Sequence, residues 1–164
     1  MCGNTLPHFC GLLTVRWRLS STSFSIKSNA SNRELVFSHP REDYFVVEIR
    51  GLGVNVTREV YAYTDGVGLY RLLNRLAEYS RPWSGVEKWE SLEGEFTLAA
   101  SCTPLGHVDL SVLIRDQLGG PEEWTLKASL VTELGQLPSI AAAAKPFFAN
   151  VAPPNTSLER TRDR

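Results

Sequence analysis

The chain has 164 residues, enough for one domain with a sizeable core, and its apolar and charged fractions are ordinary for a soluble globular protein. Its nominal net charge of -1 hides a split: outside residues 1–23 and 155–164 there are 12 basic and 16 acidic side chains, so the body is mildly acidic. That balance argues against nucleic-acid backbone binding and is compatible with a basic protein partner, while no apolar run reaches the roughly 20 residues of a membrane span.

Residues 1–23 read as a poorly ordered N-terminal appendage. Their apolar stretch around Phe9–Val15 lacks a preceding positive region and follows Pro7, so it makes a poor secretory signal. Three cysteines, Cys2, Cys10 and Cys102, without close pairing suggest neither a disulfide framework nor a zinc site, and a reducing cytoplasm is the simplest location. Residues 24–149 read as a single α+β domain. Residues 150–164, with paired prolines followed by polar and charged residues, read as a disordered tail.

Within the domain the first strand falls near Phe24–Lys27 and the second at Glu34–Ser38, with a turn at His39-Pro40-Arg41-Glu42. Tyr44–Arg50 alternates, placing Phe45, Val47 and Ile49 on one face. Gly51-Leu52-Gly53 then forms a hairpin into Val54–Tyr63, whose Val54, Val56, Val60 and Ala62 share a face. A helix follows, with Asp65 as N-cap and Leu69, Leu72, Leu73, Leu76 and Ala77 at helical spacing, ended by Ser80-Arg81-Pro82. Trp83–Glu93 reads as a Trp- and Glu-rich loop.

A three-strand antiparallel meander comes next. Phe96, Leu98 and Ala100 share the core face with Val108, Leu110, Val112 and Ile114, and with Trp124, Leu126, Ala128 and Leu130. A loop over Cys102–Gly106 pairs Ser101 with His107, Ala99 with Asp109 and Thr97 with Ser111, and brings Lys127 near Asp109. A second helix runs from about Pro138 to Phe148. The expected architecture is one antiparallel sheet of about six strands with two helices packed on one face and a wet opposite face.

No catalytic motif emerges. Gly51-Leu52-Gly53 lacks the third glycine of a dinucleotide loop and continues into a strand. His8, His39 and His107 are too dispersed for a metal site, and no cofactor is implied. Glu93 and Glu95, two apart on a strand, would share a surface with His107 and Asp109 for general acid–base hydrolysis; the simpler reading is a solvated sheet face. In the Trp83–Glu93 segment the simpler reading is that the tryptophans clamp the helix onto the sheet. The sharper one is a partner-binding surface of Trp83, Glu87, Trp89, Glu90, Glu93 and Glu95, extended by His107 and Asp109, which would steer a basic partner.

These segments resemble a bacterial, actinobacterial-type family of uncharacterised small proteins. The resemblance rests on Phe37-Ser38-His39-Pro40, Asp43-Tyr44-Phe45, Val60-Tyr61-Ala62-Tyr63-Thr64, Trp83 with Gly85, and Trp89 to Glu95. Gly106-His107-Val108, Trp124, Gly135-Gln136-Leu137 and Phe147-Phe148 complete it. It implies a shared fold over residues 24–149 and carries no activity. The small, acidic α+β character is also similar to immunity proteins of the WapI-associated type, which implies a non-enzymatic protein that occupies a toxin domain.

Overall fold

The computed structural model describes residues 23–41, 43–62, 66–116 and 119–151. The expected appendage and tail therefore fall almost wholly outside the described residues, as does Asp65. Two antiparallel sheets form, each of four strands, where the sequence suggested one of about six. The first comprises β1 (Phe24–Lys27), β2 (Glu34–Arg41), β3 (Tyr44–Gly51) and β4 (Val54–Tyr61). Helix α1 (Gly66–Glu78) then carries the chain to the second, β5 (Val86–Glu90), β6 (Phe96–Cys102), β7 (His107–Asp116) and β8 (Trp124–Glu133). A short 3-10 turn leads into helix α2 (Leu137–Phe148), with Pro138 in its first turn and Pro146 inside its last.

Each sheet is a meander in chain order, because neighbouring strands are joined by short reversals. Leu52 and Gly53 both have positive φ, 53° and 75°, between the paired Gly51 and Val54, which is a two-residue hairpin of the primed type. Gly51 itself (φ 105°) could not be replaced, since a Cβ there would lie 2.5 Å from the Asn32 carbonyl oxygen. The expected turn at His39–Glu42 is instead a bulge: His39 takes φ 50° and β2 continues to Arg41, which pairs with Tyr44. Pro40 is tolerated there because β1 pairs with β2 only as far as Phe37.

The β6–β7 hairpin is tighter than expected. Thr103 N–H donates to His107 O at 2.8 Å and Gly106 N–H to Thr103 O at 2.9 Å, leaving Pro104, Leu105 and Gly106 (φ 84°) as the loop. Ser101 therefore pairs with Asp109, Ala99 with Ser111 and Thr97 with Leu113, a slip of two from the expected register. An even slip keeps every side chain on its face, so the apolar assignments hold while the polar neighbours change. Asp109 faces Val131 and Lys127 faces Leu113, which takes the expected Asp109–Lys127 pair apart.

One core joins both sheets and both helices. Its centre is aromatic. Phe37 stacks on Phe24 (4.5 Å, 2°), lies 6.0 Å from both Phe45 and Phe96, and meets Phe147 and Phe148 at 6.2 and 6.4 Å. The neighbouring sheet edges meet where Asn29 N–H donates to Val131 O at 2.7 Å. Gln136 braces that seam: its Oε1 accepts from Asn29 Nδ2 (2.7 Å), Thr132 Oγ1 (2.6 Å) and Glu133 N–H (3.2 Å).

On the outer face of the first sheet Arg50 donates to Glu34 Oε2 through Nε (3.0 Å) and Nη2 (2.8 Å). A hydrogen bond from Ser25, and then that from Arg50, hold the Glu34 carboxyl below its ordinary value.

Two outcomes follow. Phe37→Ala removes the ring on which two sheets and α2 converge, and should cost about 3–5 kcal/mol in urea unfolding. Because the Glu34 pKa is depressed on folding, its contribution is fully present above the ordinary carboxylate range and is lost as pH falls through the folded value. Glu34→Gln should therefore be less stable than the wild type at about pH 7, with the gap narrowing as pH is lowered toward about 3; a gap independent of pH contradicts this.

Candidate functional site

The residues singled out in the sequence do not converge on one surface. Trp83–Glu93 is not a loop: Val86–Glu90 forms β5, whose Trp89 pairs with Leu98 and is buried, its ring 6.2 Å from that of Phe96. Trp83 is half-buried and stacks on Tyr79 (4.6 Å, 17°), just beyond α1. Glu87 lies under α1, where it accepts from the Tyr79 hydroxyl at 2.9 Å and pairs with Arg75 at 2.5 Å. The phenol of Tyr79 is held above its ordinary value by the hydrogen bond it donates to Glu87, with desolvation adding to it. These contacts are those of tryptophans and a carboxylate fastening a helix to a sheet.

Glu93 and Glu95 diverge as well. The expected strand through them is a turn, with Gly94 at φ 73° and Gly94 N–H donating to Ser91 O at 3.0 Å. Glu93 stays exposed whereas Glu95 is buried. His107 lies past the far end of β6 from Glu95, roughly 25 Å away at ~3.3 Å per strand residue. The acid–base set of Glu93, Glu95 and His107 is not assembled. His107 instead faces Glu133 across β7 and β8, beside a shallow cavity of about 460 Å³ that Leu105 and Leu134 also line. Asp109 is half-buried on the outer face of the second sheet, and Glu90 is exposed and paired with Lys88 at 2.6 Å. Cys102, half-buried, donates its thiol to Thr103 O at 3.4 Å.

What does converge is a set of segments far apart in sequence. Glu95 Oε1 accepts the backbone N–H of Tyr61 at 2.6 Å, and its Oε2 accepts the Ser91 hydroxyl at 2.8 Å. Ser91 Oγ in turn accepts the Phe96 N–H at 3.1 Å. A buried carboxylate with hydrogen-bond donors on both oxygens is tolerable where an unpaired one would be costly. This one joins the edge of the first sheet to the start of β6. A second link runs parallel to it, Arg58 to Asp116 at 3.0 Å.

Beside that lock lies an aromatic surface on the outer face of the first sheet. Tyr44 and Tyr61 are cross-strand partners with ring centroids 4.9 Å apart. The Arg41 guanidinium sits 5.6 Å over the Tyr44 ring and is paired with Glu59. Tyr44 is exposed, and so are Leu92 and Glu93 on the turn that Glu95 anchors. Sequence reading missed Tyr44 and Tyr61 as surface groups. Their signal was available, two tyrosines on the polar parity of two adjacent strands, but it needed the β3–β4 register to be read as a pair.

Among the described residues there is no cluster of His, Cys, Asp and Glu suited to a metal ion, and no helix is long and apolar enough to cross a membrane. Residues 25–151 match the model of a family described as a family of unknown function, DUF6228. No curated protein and no solved structure matches the chain.

Removing the lock tests its role. Glu95→Ala orphans the Tyr61 N–H and the Ser91 hydroxyl and should destabilise by roughly 1–3 kcal/mol per orphaned donor. Glu95→Gln, which keeps one acceptor oxygen, should lose less in the same denaturation measurement.

Proposed function

Because the chain belongs to the DUF6228 family, whose description assigns no activity, we propose a function from its own surface: a non-enzymatic binding protein of the immunity type, which neutralises a basic toxin domain. The observation that carries this reading is the exposed Tyr44 ring, tilted against that of Tyr61, whose backbone N–H is held by the buried Glu95 of the neighbouring turn. Tyrosine and arginine are enriched at binding hot spots because they bring large contact area at small entropic cost. A turn already fixed by hydrogen bonds has less freedom left to lose when a partner docks.

The charges around this surface favour a cationic partner. Arg41, Arg58 and Lys88 are engaged by Glu59, Asp116 and Glu90, whereas Glu93 projects from the turn as an exposed carboxylate. The partner surface is thereby moved from the tryptophans to the tyrosines: Trp89 belongs to the core, Glu90 is engaged by Lys88, and Glu93 remains as the exposed carboxylate. The natural setting for such a protein is the cytoplasm of the cell it protects.

Titration calorimetry with a basic toxin domain encoded by an adjacent gene tests the proposal. Tyr44→Ala and Glu93→Ala should each weaken binding by about 1–2 kcal/mol while both variants remain folded at the assay temperature, and added salt should weaken the wild-type complex. Salt-insensitive binding, or unchanged affinity in both variants, removes this surface from consideration.

A further inference from the structure

Helices α1 and α2 run antiparallel. The ring of Tyr70, early in α1, lies 5.9 Å from that of Phe148 at the end of α2, and Glu78 at the end of α1 lines the same groove as Pro138 at the start of α2. The groove between them has a volume of about 940 Å³ and opens to solvent. Its floor is made of small side chains, Ala77, Ala141 and Ala142. Arg71, Arg75 and Lys145 line it on the cationic side and Glu78 on the anionic side.

These charges are not evenly matched along the groove. Arg75 is taken by Glu87 at 2.5 Å. Arg71 and Lys145 are both exposed and lie at the end marked by Tyr70 and Phe148, while Glu78, the one acidic residue of the groove lining, lies at the other end by Pro138. Among the described residues no carboxylate forms an ion pair with Arg71 or Lys145. Two like charges flanking one end of the groove raise the local potential and attract an anionic group.

We infer that this groove docks an acidic amphipathic helix of a partner protein. An alanine floor lets a third helix approach to an axial separation near the ~8 Å lower end of helix packing. The apolar stripe of the incoming helix covers Ala77, Ala141 and Ala142, and glutamates on its flank meet Arg71 and Lys145. A nucleic acid fits less well, because its backbone needs a longer run of cations and its bases need exposed rings to stack on, whereas Tyr70 is buried. The groove is built from α1 and α2 alone, so this inference stands independently of the Tyr44 surface.

The test uses the full chain and a fluorescently labelled synthetic helix with leucines at i, i+3, i+4 and i+7 and glutamates elsewhere, followed by anisotropy. Saturable, salt-weakened binding is expected. It should fall by at least about tenfold in the Arg71→Glu/Lys145→Glu double variant and when lysines replace the glutamates of the peptide. Ala142→Trp, which fills the floor and leaves the charges in place, should also abolish binding, with circular dichroism verifying that both variants are folded. Absence of saturable binding, equal affinity in the double variant and Ala142→Trp, or equal affinity for the lysine peptide overturns the inference. Tighter binding of a labelled oligothymidine than of the acidic peptide overturns it in favour of a nucleic-acid surface.

Discussion

The structure depends on a single aromatic junction. Phe24, Phe37 and Phe45 of the first sheet, Phe96 of the second, and Phe147 and Phe148 at the end of α2 meet within ring-to-ring distances of 4.5 to 6.4 Å. A four-stranded meander with one apolar face has nowhere to bury that face by itself. Here the last two helical residues pack on the rings of the first sheet, and Phe37 joins them to Phe96 of the second. Stability of either sheet is consequently tied to the docking of the chain's final described element, and the fold closes as one unit.

Around that junction the polar contacts serve as seams. Glu95 joins the first sheet to the entrance of β6, Arg58 and Asp116 join β4 to the end of β7, and Asn29, Thr132 and Gln136 join the two sheets where β1 meets β8. The first and third of these seams also satisfy backbone donors, Tyr61 N–H through Glu95 and Glu133 N–H through Gln136, where unpaired strand edges are the recurrent liability of open sheets. The Ser91–Glu95 segment, which in sequence reads as an acidic surface, is spent on such a seam. The hydrogen bond from Tyr61 N–H to Glu95 ties the neighbouring turn, with its exposed Leu92 and Glu93, to the first sheet.

Two faces of opposite character result. The tyrosine face carries exposed carboxylates next to neutralised arginines, and the helical face carries Arg71 and Lys145 over an alanine floor. The mildly acidic charge of the body averages over this contrast and conceals it.

Alternation of apolar and polar residues is sufficient to define strands β1, β2, β3, β4, β6, β7 and β8 to within a few residues, the core faces of their side chains, and both helices, because those features depend on periods of two and 3.6 residues that any local window displays. It also placed the Gly51-Leu52-Gly53 reversal, where positive φ at consecutive residues leaves few alternatives. Beyond that, local pattern was silent. Val86–Glu90 is a five-residue edge strand with one buried side chain, too short to display a period, so it read as a loop. The β6–β7 register slipped by two because both alignments bury the same face, and only the Thr103–His107 closure distinguishes them. The contact of Glu95 with Tyr61 and the groove between α1 and α2 join residues that are dozens of positions apart. They follow from how α1 redirects the chain from one sheet to the other, a choice made by the packing of the whole core rather than by any segment within it.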